Sequence, residues 1–100
     1  MPYFALIEAC GPAWDPARER REQDGWDEHA AFMDGLVDDG FVVLGGPIGN
    51  GERVMLLVDA EDEQEIRRRL AADPWLPGVL AIESIEPWSL WLGDPRAAAT

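Results

Sequence analysis

His29 is the only histidine in this 100-residue chain. An imidazole titrates near neutrality, so it can take up and return a proton at physiological pH. The other groups with chemical potential are few. Lysine is absent and all eight basic residues are arginines, which removes Schiff-base chemistry at a lysine amine. Cys10 is the lone cysteine; it forms no disulfide within the chain, and its sequence context reads as a small buried hydrophobe. A zinc site needs several His, Cys or carboxylate ligands, and a single histidine does not supply them, so no metal is expected. No serine or cysteine stands at a spacing that suggests a nucleophile, which leaves general acid–base work as the chemistry open to His29. The alternative is that His29 shares a helix flank with Met33 and Leu36 and only packs at the edge of the core.

Two arginine groups and one glycine pair call for weighing. Arg18, Arg20 and Arg21 could clamp a substrate carboxylate through bidentate bonds; a mixed-charge loop is more often simply solvated. Arg67-Arg68-Arg69 reads as the outer face of a helix. Gly45-Gly46-Pro47 lacks the spacing and lysine of a phosphate loop. It reads first as a strand terminator and second as backbone that a ligand can approach closely at Gly46 and Pro47.

The elements that must position these residues follow from hydropathy and breakers. Tyr3–Glu8 is a first strand, stopped by Gly11-Pro12. Residues 13–25 are polar and read as a loop or a short helical turn. A helix over Trp26–Asp39 places Trp26, Ala30, Met33, Leu36 and Val37 on one face, with Asp24 or Asp27 as its cap and Gly40 at its end. Phe41–Leu44 is a second strand, Gly49-Asn50-Gly51 a turn and Arg53–Asp59 a third strand. A second helix over Ala60–Ala72 turns Ile66 and Leu70 inward. Its acidic start and basic end suit the helix dipole, and Glu63–Arg67 and Glu65–Arg69 are i,i+4 pairs. Asp73-Pro74 ends it, because the residue before proline leaves helical space. Val79–Ile85 is a fourth strand, closed by Pro87-Trp88.

The order β-α-β-β-α-β makes this an α+β chain with a ferredoxin-like arrangement: a four-stranded antiparallel sheet with two helices on one face. Residues 1–92 form one domain, and residues 93–100 a flexible tail. Runs such as Val42-Val43-Leu44 and Val54–Val58 imply strands buried on both faces. Two helices cover only one, so the second face is expected to meet the same face of a second subunit in a homodimer. Twenty acidic residues against eight basic ones give a net charge of -12, which weighs against nucleic acid and anionic membranes as partners. No apolar run approaches the roughly 18 residues of a membrane span. The N-terminus carries no leader pattern, and the expected compartment is the cytoplasm.

Three stretches together resemble the YCII-related (YciI-like) domain family. The first is Trp26-Asp27-Glu28-His29-Ala30-Ala31-Phe32-Met33-Asp34-Gly35-Leu36, followed by Gly40-Phe41-Val42-Val43-Leu44-Gly45-Gly46-Pro47. The others are Ala72-Asp73-Pro74-Trp75, where the family usually has Asp-Pro-Phe or Asp-Pro-Tyr, and Gly78-Val79 with Glu86-Pro87-Trp88. The resemblance spans Tyr3 to about Leu92. It implies a dimeric α+β barrel of ferredoxin-like subunits and an active site centred on His29 and Asp73. Related proteins eliminate chloride from ring compounds during breakdown of chlorinated aromatics. Many members carry arginine three residues before the histidine, where this chain has Trp26.

On that implication, Asp73 would hold the imidazole in one tautomer and stabilise its protonated form. The competing reading of Asp73 is a plain turn former before proline. Of the five tryptophans, Trp26 and Trp75 adjoin the two site residues and become candidate pocket walls, whereas Trp88 and Trp91 are assigned to core or interface. The expectation is a cofactor-independent lyase or isomerase acting on a small apolar or aromatic molecule, with His29 and Asp73 catalytic and Trp26, Gly46, Pro47 and Trp75 contacting substrate. A non-catalytic ligand-binding module and a structural dimerisation domain are the alternatives.

Overall fold

A computed structural model describes residues 2–93; of the tail expected at 93–100, residues 94–100 lie outside them. The chain runs β1 (Tyr3–Cys10), a 3-10 turn (Arg20–Glu22), α1 (Trp26–Asp38), β2 (Val42–Ile48), β3 (Arg53–Asp59), α2 (Glu63–Leu70) and β4 (Leu80–Pro87). All pairings are antiparallel, in the order β2-β3-β1-β4. This is an α+β architecture with an open four-stranded sheet and two helices, compatible with a ferredoxin-like fold.

The alternation along β1 explains which face is covered. Phe4, Leu6 and Glu8 are buried, while Tyr3, Ala5, Ile7 and Ala9 are only half-buried. Phe4 and Leu6 sit opposite Val58 and Leu56 of β3. With Leu36 of α1 and Ile66 and Leu70 of α2 they form one core, so both helices lie on this face. Side chains on alternate strand residues point the same way, so Glu8 continues the buried row. Opposite it on β4 the register slips by one residue, since Ile7 faces Ser84 but Glu8 faces Ile82. Such bulges bend a strand and re-aim its side chains.

Several expectations need correcting. β2 runs on through Gly45-Gly46-Pro47, with Gly46 opposite Met55 and Pro47 opposite Val54. The strand lies at the sheet edge, where proline's missing N–H costs no ladder bond, so this segment extends the strand that it was expected to end. The same edge position means that Val42-Val43-Leu44 is not a central run: Leu44 is exposed. At Gly45 a Cβ would lie 2.9 Å from the Met55 carbonyl oxygen and against the Leu56 side chain, so the close strand pairing demands glycine there.

α1 has no side-chain cap. Gly25 occupies the N-cap in a left-handed conformation (φ 80°), in place of Asp24 or Asp27. Gly40 ends the helix as expected, with φ 79°. On its inner face His29 and Leu36 are the buried residues, whereas Val37 is exposed. α2 is shorter than expected, because Asp62 caps it by accepting a bond from the Glu65 amide at 2.8 Å. Arg67 pairs with Glu63 at 2.9 Å, but Arg69 reaches Asp39 at 2.7 Å and not Glu65, whose carboxylate accepts from the Glu61 amide. Arg69 also packs over Phe41, so it is not simply part of an outer helix face. Among the described residues no helix is long and apolar enough to cross a membrane.

Candidate active site

His29 sits one turn into α1, and its side chain points toward the segment after α2. Its Nδ1 lies 2.9 Å from Asp73 Oδ1 and 3.0 Å from Oδ2. Both residues are buried, with 7% and 2% of their surface exposed, so the pair is largely removed from solvent competition. A carboxylate accepts, so Nδ1 carries the proton that it donates, and Nε2 is left as the basic nitrogen. Nε2 has no partner among the described residues.

Asp73 makes contacts in two directions. Its Oδ1 also accepts the Trp75 backbone N–H at 2.9 Å, closing a tight turn over Pro74. The turn anchors the carboxylate, and the carboxylate anchors the ring.

Trp75 completes the clamp from behind. Its indole stacks on the imidazole, with ring centroids 4.0 Å apart and planes 9° from parallel. It is held in turn by its Nε1–H, which donates to the Asp24 carbonyl at 2.8 Å. A Cβ at position 25 would stand 3.3 Å from Trp75 Nε1, so Gly25 serves both the left-handed helix entry and the indole's seat. Trp14 meets Trp75 edge-on at 6.5 Å.

A hollow of about 300 Å³ opens in front of His29. Trp26, Gly46 and Pro47, expected from sequence to contact substrate, line it with His29. Trp75 does not line it: at 1% exposure it backs the imidazole and is no wall for a ligand. Asp73 likewise touches the hollow only through His29. Met33, Val54 and Leu56 supply apolar lining. A second hollow of about 390 Å³, between α2 and β4, is lined by Leu70, Leu76, Pro77 and Ile82, and its Arg67 is already tied to Glu63.

Two further residues face the first hollow, Glu8 and Arg20. Glu8 was missed in the sequence, although a signal was there: a carboxylate at the third position of the buried row Phe4, Leu6, Glu8 occupies a place where the pattern calls for an apolar residue. It is 1% exposed, and its Oε2 has no hydrogen-bond partner among the described residues. Burial, reinforced by the negative charge of Asp73, pushes the Glu8 carboxyl up to about 7, against the opposing pull of His29 and Arg20. Arg20 is the one member of the arginine loop that reaches the hollow. Its Nη2 donates to the Gly51 carbonyl at 2.9 Å, and its guanidinium lies 5.2 Å from the Trp14 ring centroid. Arg18 instead pairs with Asp24, and Arg21 lies over Trp26.

The remaining sequence readings divide. Cys10 is only half-buried and donates weakly to the Glu52 carbonyl, so it is not a core hydrophobe. Burial pushes its thiol up from the ordinary value, with Glu52 adding to the effect. Trp88 and Trp91 are both exposed, which removes them from the core. No cluster of three or more His, Cys, Asp or Glu side chains placed to hold a metal occurs among the described residues.

Compared with known proteins, the chain matches no family model and no curated relative at a significant level.

Proposed function

We propose that this chain is a cofactor-independent enzyme of proton transfer, a lyase or isomerase acting on a small, mainly apolar molecule. The observation that carries the reading is the buried His29–Asp73 pair, whose free imidazole nitrogen belongs to a ring lining a hollow of ligand size. Asp73 fixes the ring and its tautomer, and Trp75 fixes its plane. Nε2 then takes a proton from an activated carbon or hydroxyl and returns it elsewhere on the same molecule, or to a leaving group. Buried surroundings strengthen the electrostatic support that Asp73 gives to the imidazolium. The resemblance to the YCII-related family points to the same two residues.

The test is deuterium incorporation from D2O into a panel of carbon acids (2-oxo acids, lactones and enones), followed by proton NMR. Incorporation above the buffer rate that is lost in His29→Ala and cut strongly in Asp73→Asn supports the reading. No incorporation across the panel, or incorporation indifferent to His29, overturns it. Saturable binding without any exchange returns the site to a non-catalytic binding module.

The homodimer belongs to the same proposal. On the sheet face away from the helices, Leu44, Met55, Leu57 and Trp88 border a hollow of about 280 Å³, and Leu44 is 52% exposed. Apolar surface of this kind is covered most simply by its own copy, sheet on sheet, to give a dimeric α+β barrel. Light scattering at micromolar concentration is expected to give twice the 11.1 kDa chain mass; the monomer mass sinks the dimer.

A further inference from the structure

Glu8 is the polar side chain that the His29–Asp73 pair does not explain. It lines the hollow with Oε2 lacking a hydrogen-bond partner among the described residues, and a native fold rarely leaves a buried polar atom unsatisfied without a use for it. Its neighbours in the sheet offer nothing polar: Val54 stands opposite on β3 and Ile82 on β4. The charged and titratable groups around the same space are His29 and Asp34 from α1, Arg20 from the 3-10 turn and Asp73 behind the imidazole. Arg20 forms no ion pair among the described residues, in a chain with an excess of 12 negative charges.

We infer that Glu8 works as a neutral acid that donates a hydrogen bond to a carbonyl oxygen of the ligand, and that the ligand class is a small 2-oxo carboxylate, with its carboxylate against Arg20 and its apolar body against Met33, Val54 and Leu56. Only a protonated carboxyl can both rest unpaired in such a place and donate to an oxygen that arrives. Arg20 presents a guanidinium fork suited to a carboxylate, and it is already steadied by Gly51 and Trp14.

This inference rests on the proton-transfer reading for its chemical step, though not for its binding step. In the chemical step His29 Nε2 takes the proton from the carbon next to the carbonyl. The C–H electron pair becomes the new C=C bond, the carbonyl π pair moves onto oxygen, and that oxygen takes the Glu8 proton. The enol reverts when Glu8 recovers its proton and the imidazolium returns one to carbon. Nothing is consumed, and in D2O the returned nucleus is deuterium.

The experiment compares two probes that differ at the carbonyl, phenylpyruvate and 3-phenylpropanoate, by titration calorimetry at pH 6. The wild type is expected to bind phenylpyruvate about tenfold more tightly. Glu8→Leu removes that ratio, whereas Glu8→Gln keeps it, since an amide also donates, but loses deuterium incorporation because an amide has no acidic proton to pass. Arg20→Met weakens both probes alike. At pH 8.5 the ratio fades in the wild type and persists in Glu8→Gln, a pattern that a merely structural carboxyl does not produce. Equal binding of the two probes, binding of neither, or a ratio indifferent to Glu8→Leu overturns the inference. His29→Ala separates it from the reading beneath it: exchange disappears while the ratio holds. A ratio without exchange in the wild type supports Glu8 as the donor and sinks proton transfer.

Discussion

The two ends of β1's buried row lie on the same face of the same sheet, yet they are built differently. At one end Phe4 and Leu6 meet Leu36, Leu56, Val58, Ile66 and Leu70 and fill the layer. At the other, Glu8 faces a hollow beside His29. The first end stabilises through removal of apolar surface from water. The second keeps three ionisable groups, Glu8, His29 and Asp73, buried at 1%, 7% and 2% exposure, where the fold gains least from them. Retaining polar groups at such cost is what singles this end out as the candidate site, since a core needs only apolar residues of the right size.

That contrast can be broken at its filled end. Leu6→Ala is expected to cost about 2–5 kcal/mol in chemical denaturation, from lost burial plus the void left behind, while His29 and Asp73 stay paired. Loss of the His29 tautomer in that variant would show that the two ends are not separable.

Glu8→Gln sharpens the contrast through pH. A Glu8 carboxyl raised to about 7 in the folded chain, against its ordinary 4.5, means that the folded state holds this proton over a range where the unfolded state has released it. Its contribution to stability is complete below about 4.5 and is lost as pH rises through about 7. The difference amounts to about 3 kcal/mol on the size of the shift. Thermal denaturation of the wild type relative to Glu8→Gln is therefore expected to worsen between pH 4.5 and 7 and to level off above. A constant difference across that window contradicts the account.

The turn at Asp73 is the next place to press. Asp73→Asn is expected to cost about 1–3 kcal/mol through weakened bonds to the imidazole and to the Trp75 amide. In nitrogen-15 NMR the neutral His29 ring should shift from a single tautomer, protonated on Nδ1, to a mixture. An unchanged tautomer means that Asp73 does not orient the ring.

The smaller effects lie on the edge strand. Gly45→Ala pushes a methyl into Met55 and Leu56 and should cost about 1–3 kcal/mol. Gly46→Ala meets nothing within 4 Å and should leave the denaturation midpoint almost unmoved. Equal costs at the two positions would refute the packing reason given for Gly45.

Much of the architecture was legible in the chain. Clean breakers and strong periodicity gave β3 at its observed bounds, the start of α1 at Trp26, its end at Gly40, and the order of elements. Where local signals competed, they misled. Gly45-Gly46-Pro47 reads as a stop in any single strand, and only pairing with β3 at the sheet edge makes it a continuation. Glu65 and Arg69 have ideal helix spacing, yet Asp39 from another element is the nearer partner for Arg69.

For the candidate site the division is sharper. Residue types alone singled out His29 as the lone histidine, with acid–base work and core packing both open, and ruled out lysine chemistry; the family resemblance set Asp73 beside it as a partner, against its plain reading as a turn former. The fold joins the two: the turn carboxylate also meets the imidazole, because a pair 44 positions apart is joined only when α1 and the post-α2 turn are brought to one end of the sheet. Burial did the rest. It turned Glu8 from one of 20 acidic residues into the single unsatisfied acid on the floor of the hollow, and it moved Trp75 from a presumed wall to the slab behind the imidazole. Sequence sets which groups exist and what each can do. Desolvation and proximity, which set protonation and partnership, are properties of the packed chain.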